Sequence, residues 1–479
     1  MSQFSSPPEL AALEAGPKEK QRVFASLPPN RNRNAAIKIL GGLVVLGLLV
    51  LYANNVQPET VKGLDGSAEI VSQSAPRLAP RQIVKMVNKL PGDIRQCNEE
   101  QAKFQGVVFE AAKVRGCPHE DDLWMRLVQM MMPEAGVFID IGSNKGYTGA
   151  RFFALWNPEL GLTSKIHYRN VKQVCTYPEM LECGACGDCN DDTGPFIDMH
   201  KRVCGRNSGN TADPGKVQPM KKASQFLCQS RRDRFNPIRV FSFDGNKHLV
   251  EGLRDAIDYN SGPGESSLRK KTVEDYLDHS TPSNPGALIA QSWSVENRAF
   301  TETCAPGETL TFQLDGELGH IADEERDNSA KELKRQAKFG KVESVSVPCI
   351  TVDQLIAREE LEHIDILKVD TEGHDLAVLD GARQAIEAGK VSVILFEYNV
   401  FWPEKRKGEP ALKAVVAELA QNDFACYLEG KNALVRLSYC WSNILATRQW
   451  SNIYCISTKN TEELVKVFDS YSLAFSSGL

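Results

Sequence analysis

Val137-Phe-Ile-Asp-Ile-Gly-Ser-Asn-Lys-Gly-Tyr-Thr148 decides how the rest of this chain is read. The apolar run Val137 to Ile141 predicts a buried strand. It breaks at Gly142 and Gly146, and Tyr147 to Trp156 then predicts a helix. Strand, glycine turn and helix together are the opening unit of a doubly wound, Rossmann-like α/β sheet. In such a turn the glycines let backbone amides approach a ligand, and the helix N-terminus favours an anionic group. Asp140, at the strand end, is placed to meet a cation. The three-glycine dinucleotide fingerprint is not met, because Asn144 holds its middle position. Taken alone, the stretch also reads as a plain strand-to-helix connection.

Working outward, Arg239-Val-Phe-Ser-Phe-Asp244 alternates as a second strand, followed by a helix over Lys247 to Ala256. An acid ending the second strand is where a nucleoside's ribose hydroxyls lie; Asp244 also suits a helix N-cap. Leu288–Ala290 and Trp293–Phe300 read as strand pieces, and Thr309–Leu314 and Val342–Val347 as further strands. Ile364-Asp-Ile-Leu-Lys-Val-Asp370 runs into Thr371-Glu372-Gly373-His374-Asp375 and a helix over Leu376 to Ala388. Val391–Phe396 ends in Glu397-Tyr398-Asn399, and Phe424–Leu428 and Asn452–Ile456 close the series after a helix over Ala411 to Ala420. Asp140, Asp370 and Glu397 therefore end three strands that face one crevice, the place where open α/β sheets bind ligands.

The flanking sequence predicts a membrane attachment. Residues 1–34 are polar and proline-rich and read as a disordered tail. Residues 35–54, with Ile39 to Ala53 uninterrupted, read as a transmembrane signal anchor; a cleaved signal is the other reading. Arg31, Arg33 and Lys38 on one flank, against Glu59, Asp65 and Glu69 on the other, orient it as a single-pass type II protein. The short span suits the endoplasmic reticulum or Golgi, with the main domain lumenal. All thirteen cysteines follow the anchor, as an oxidising lumen would favour, whereas no Asn-x-Ser/Thr acceptor occurs. Residues 55–100 read as a stem, with a short helix at Gln82–Leu90. The helix over Pro118 to Met132 opens the main domain, 101–479. A net charge of −6 gives no footing for nucleic acid. Segment 158–237 is too long for a connection and reads as an insertion. Its Cys183-x-x-Cys186-x-x-Cys189 admits a disulfide-stapled lid, a zinc knot with Cys175 or Cys204, or an iron–sulfur site; a structural role is favoured. Asp323 to Lys338 reads as a charged, solvated segment.

From about Glu134 to Lys459 the chain resembles the FkbM-type S-adenosylmethionine-dependent methyltransferases. The resemblance rests on Phe138-Ile-Asp-Ile-Gly-Ser-Asn-Lys-Gly146, Asp244, Asn297-Arg-Ala299, Val347-Pro348, Ile364-Asp-Ile-Leu-Lys-Val-Asp-Thr-Glu-Gly-His374, Gly381-Ala382 and Phe396-Glu-Tyr398. Two departures are the cysteine-rich insertion and Thr371, which stands where an aliphatic residue is commoner. The resemblance implies a seven-stranded class I methyltransferase sheet with an antiparallel last strand, S-adenosylmethionine as donor, and O-methylation of a hydroxyl on a glycan or small molecule. On that footing Asp140, Gly142, Asn144, Gly146, Asp244, Asn297 and Asp370 belong to the donor site. Glu372, His374 and Glu397 are the catalytic candidates, with Glu372 or His374 favoured as base. A divalent metal at Asp370 and its neighbours is allowed but not required. The rival readings are a membrane-anchored scaffold with a degenerate fold, and a methyltransferase acting on protein or lipid.

Overall fold

Alternation along the strands sets two apolar faces, and helices cover both. In chain order the first strands are β1 (Val137–Ile141), β2 (Arg239–Asp244) and β3 (Trp293–Asn297). The chain then forms β4 (Ala299–Phe300), β5 (Thr309–Leu314), β6 (His320–Ile321) and β7 (Glu343–Ile350). Next come β8 (Ile364–Val369), β9 (Val391–Tyr398), the short pair β10 (Lys405–Arg406) and β11 (Glu409–Pro410), and finally β12 (Phe424–Leu428), β13 (Val435–Arg436) and β14 (Ser451–Ser457). This computed structural model describes residues 94–112, 114, 123–181, 183, 238–261, 285–314, 319–322, 343–430, 433–438, 440–448 and 450–472. The predicted tail, anchor, nearly all of the stem with its helix, the insertion beyond 183 and the charged segment Asp323–Lys338 lie outside the described residues. Among the described residues no helix is long and apolar enough to cross a membrane.

The main sheet has the order β13-β12-β14-β9-β8-β1-β2-β3. β3, β2, β1, β8 and β9 run parallel, and β14 is antiparallel to both β9 and β12. The antiparallel strand inserted near the edge is as expected, but the count is eight rather than seven. The additional member is β13, a two-residue edge strand paired to Tyr427 and Leu428, too short to show any periodicity in sequence. The chain leaves β1 in one direction towards β2 and β3, and in the other towards β8 and β9. The order therefore reverses beside β1, where a crevice opens at the strands' carboxyl ends.

One core cluster packs Ile139, Phe241, Leu367 and Ile394 under the helices Val352–Arg358 and Ala411–Gln421. The other packs Phe138, Val240, Ile366 and Val393 under the helices Tyr147–Trp156 and Glu462–Tyr471. Neighbouring strand residues divide between the two, which is the period of two written in space. Two sequence expectations change. Leu288–Ala290 is not a strand piece but part of the helix Pro285–Ser292, an ambiguity inherent in short apolar runs. The single helix over Leu376–Ala388 is two, Asp375–Asp380 and Arg383–Glu387. The break at Gly381 is where a Cβ would stand 2.2 Å from the Thr301 carbonyl oxygen. Glycine there lets the chain leaving β4 of the second sheet, β4-β7-β5-β6, pass close against this helix break.

Candidate active site

The glycine turn after β1 is built by close approach. Gly142 has φ +76°, and a Cβ on it would lie 1.7 Å from the Asp370 carbonyl oxygen. The amides of Gly142 and Ser143 donate to the Phe243 carbonyl, each at 2.9 Å. The Asn144 amide, with φ +49°, donates to Asp244 Oδ2 at 2.9 Å. The turn therefore commits its first amides to β2, and the expected offer of amides to an anionic ligand is corrected: here the glycines serve packing. Gly146, at φ +78°, lets the next helix start against Leu253 and Trp293.

Asp244 ends β2 and accepts a second amide, that of Asn246, at 2.8 Å. It lines a cleft and braces the turn; the N-cap reading is corrected, because the helix begins at Lys247 and its first-turn amide of His248 is taken by Asn246. Burial pushes its carboxyl up to about 6, against the two amide hydrogen bonds. Asn297, from β3, donates its side-chain amide to the carbonyls of Asp244 and Gly245, both at 2.9 Å. It thus fixes the backbone where β2 ends.

Asp140 does not reach the cleft. It is fully buried, and its cation is internal: Lys368 Nζ lies 3.1 Å from Asp140 Oδ1. Lys368 also reaches Asp370 Oδ2 at 3.2 Å and donates to the Gly142 carbonyl at 3.0 Å. Burial works to lower the Lys368 ammonium, but Asp140 and Asp370 together raise it above its ordinary value, so it stays charged. The sequence had a signal for this residue: one lysine inside an apolar strand, in register with Asp140.

The turn after β8 carries the remaining acids. Asp375, wholly buried, accepts from the Thr371 and Gly373 amides at 3.3 and 3.1 Å and so shapes the turn. Burial first, and Asp370 second, push it up to about 7. This shape forces Glu372 to φ +53° and Gly373 to φ +99°, with Gly373 against Phe401. His374 sits at the N-cap position without a side-chain cap bond. Carboxylate oxygens of Asp370, Glu372 and Glu397 all lie within 4.8 Å of one another, an oxygen set that a divalent cation would accept. Glu397 is buried and takes a 2.6 Å bond from Asn399. Burial, then Asp370, Glu372 and Asp375, push it up to about 11. The direction of that shift favours its protonated form and makes it a poorer base than its neighbours.

The cleft itself encloses about 580 Å³, part of it open to solvent. Its floor is Ile141, Gly142, Asn144 and Asp244; Asp370, Thr371 and Glu372 form one wall. Arg298, Phe300 and, from the second sheet, Phe312 and Ile321 form the other. Phe312, missed in the sequence, is seated over Gly245 and Gly319, where any Cβ would come within 2.2 and 2.8 Å of its ring. Asp244, Asp370 and Glu372 thus share the cleft, Glu397 stands behind them, and Asp140 and Asn297 support them from below.

An α/β sheet that reverses its order beside a glycine turn, with an antiparallel strand near one edge and an acidic rim, is a class I methyltransferase architecture. Residues 229–426 match the family model described as the methyltransferase FkbM domain. Over that segment, less than half of the chain, the sequence is similar to this methyltransferase family. The matched segment runs from just before β2 into β12, so β1 and its turn, separated by the insertion, join the domain only in space. No curated protein and no solved structure matches the chain.

Proposed function

We propose that the chain is an S-adenosylmethionine-dependent O-methyltransferase that acts on a hydroxyl of a glycan or small-molecule acceptor. The observation that carries this reading is the character of the cleft. Its turn amides are spent on β2, so it lacks the usual cradle for phosphate, while its rim presents ionisable acids suited to a cationic ligand. The residues fit the donor: Asp244 keeps lone pairs for two ribose hydroxyls beyond its two amide bonds, and Asp370 is open to the cleft for an amino group. Phe300 and Phe312 offer apolar surface to a base. When bound, S-adenosylmethionine supplies an electrophilic methyl on a positively charged sulfur.

The chain's own task is alignment and proton removal. Glu372, held on the wall by the Asp375-shaped turn, is placed to take the acceptor's hydroxyl proton, with His374 as the alternative. Glu397 behind them, its protonated form favoured, keeps the cluster from carrying a full set of negative charges. We further propose a lumenal, type II-anchored setting. Its support is the anchor-like segment 35–54 together with the disulfides Cys97–Cys440, Cys304–Cys349 and Cys426–Cys455 and a disulfide-bonded Cys183. Calorimetric titration of the full-length protein with S-adenosylmethionine tests the donor; absence of saturable binding removes the reading. Glu372→Gln should keep donor binding and lower methyl transfer by about 10²-fold or more. Undiminished turnover would move the base to His374. Mass spectrometry of glycans from cells with and without the protein tests the acceptor class.

A further inference from the structure

Lys368 makes three polar contacts, two ion pairs and one hydrogen bond. They go to Asp140 Oδ1 at 3.1 Å, Asp370 Oδ2 at 3.2 Å and the Gly142 carbonyl at 3.0 Å. The three acceptors belong to different parts of the site: the end of β1, the wall after β8, and the glycine turn. Of the two acids only Asp370 reaches the cleft, its side chain 37% exposed against none for Asp140. One internal cation therefore neutralises the buried carboxylate and pins one oxygen of the open one. Of this group of three charges, what faces the cleft is the equivalent of a single negative charge on the remaining side of Asp370, beside Asp244 and Glu372.

Without that cation two acids would confront each other with no counter-charge between them, and nothing would tie Asp370 to the end of β1. Asp370 would also be drawn into the cluster with Glu372 and Glu397, and the Gly142 carbonyl would be left unpaired. We propose that Lys368 is a positioning residue for the donor: it holds the Asp370 carboxylate in place at the edge of the cleft, so that the amino group of the donor's amino-acid end meets one fixed acid. The role rests on the donor reading above, and it makes a demand that a merely structural lysine does not. The amino-acid end must feel the loss of Lys368, and the nucleoside end must not.

Two thioether nucleosides separate the ends. S-adenosylhomocysteine carries the amino-acid end and 5′-methylthioadenosine lacks it. Titrated calorimetrically into the full-length protein, Lys368→Met should weaken S-adenosylhomocysteine by about tenfold or more and leave 5′-methylthioadenosine within about twofold. An equal loss for both ligands would show a structural role only and overturn the proposal; so would no loss for either. Wild-type protein that binds neither ligand overturns the donor reading, and this role with it. Wild-type binding with an unaffected K368M overturns the role of Lys368 alone. Should K368M fail to fold because Asp140 is left buried and charged, the double variant K368M/D140N removes that charge. It should show the same split between ligands, and an equal loss there counts against the proposal.

Discussion

At the scale of single residues, the site depends on positions where a few atoms decide the outcome. Gly142 combines a left-handed φ with a carbonyl 1.7 Å from where a Cβ would stand. Neither can relax without separating β1 from β8, so Gly142→Ala is expected to cost several kcal/mol and to abolish donor binding. Gly389 has φ +68° but nothing within 4 Å of the place a Cβ would take. Gly389→Ala should therefore cost only about 1 kcal/mol and spare binding, and a thermal melt of both variants checks the contrast. Asp244 makes a prediction in pH. Its carboxyl is pushed up to about 6 by burial, and the ionised form is the one that can accept from both ribose hydroxyls. Donor affinity should accordingly hold above that value and fall as pH drops through it, by up to about tenfold per unit. Calorimetric affinities between pH 5 and 8 would show the fall, and Asp244→Asn should flatten it while weakening binding throughout.

At the scale of elements, the second sheet is what turns an open crevice into a cleft. Phe312 on β5 is one contact with the first sheet, resting on Gly245 after β2 and packed with Ala299 and Val347; Phe300 on β4, against Phe243, is another. Phe312→Ala is expected to destabilise by about 3 kcal/mol and to weaken donor binding while leaving the main sheet's circular dichroism intact. A variant that binds as wild type would remove Phe312 from the donor side. This element also marks where sequence stops being informative. β1, β2, β8 and β9 announce themselves because buried parallel strands are short apolar runs ended by acids and glycines. β5 and β7 are visible as strands, but their antiparallel pairing over Thr309–Pro348 and Leu314–Glu343 is non-local and leaves no mark in either segment. The split at Gly381 has the same cause, a contact with Thr301 from elsewhere in the chain. Asp140 and Asp370 were visible as strand-end acids; that one faces an internal lysine and the other the cleft follows from register, which periodicity does not specify.

At the scale of the whole molecule, covalent ties and buried ionisable groups bear on stability together. Cys97–Cys440 joins segments 343 residues apart, and Gln105 binds the Cys440 carbonyl beside it. Reduction should lower unfolding free energy by about 2–5 kcal/mol, read as a lower denaturant midpoint in dithiothreitol. The buried acids make the subtler case. Asp244, Asp375 and Glu397 are pushed up to about 6, 7 and 11, all chiefly by burial. In the unfolded chain such groups release their protons near pH 4. Between the unfolded and folded values the native state holds more protons than the unfolded state, so lowering the pH stabilises it. His167 opposes this. It is buried, bonded through Nε2 to the Lys145 carbonyl at 2.7 Å, and lowered to about 4 by burial; below about pH 6.5 the unfolded chain gains a proton that the native state refuses. These three acids, with Asp140 also raised by burial, outweigh one depressed histidine, and each net proton contributes about 1.4 kcal/mol per pH unit. The melting temperature should therefore rise as pH is lowered from 7.5 to 5.5, and Glu397→Gln, which removes the largest of these shifts, should flatten the rise. A melting temperature that falls across this window would mean that the acid cluster is not buried as described, and with it would go the raised Glu397 on which the assignment of the base depends.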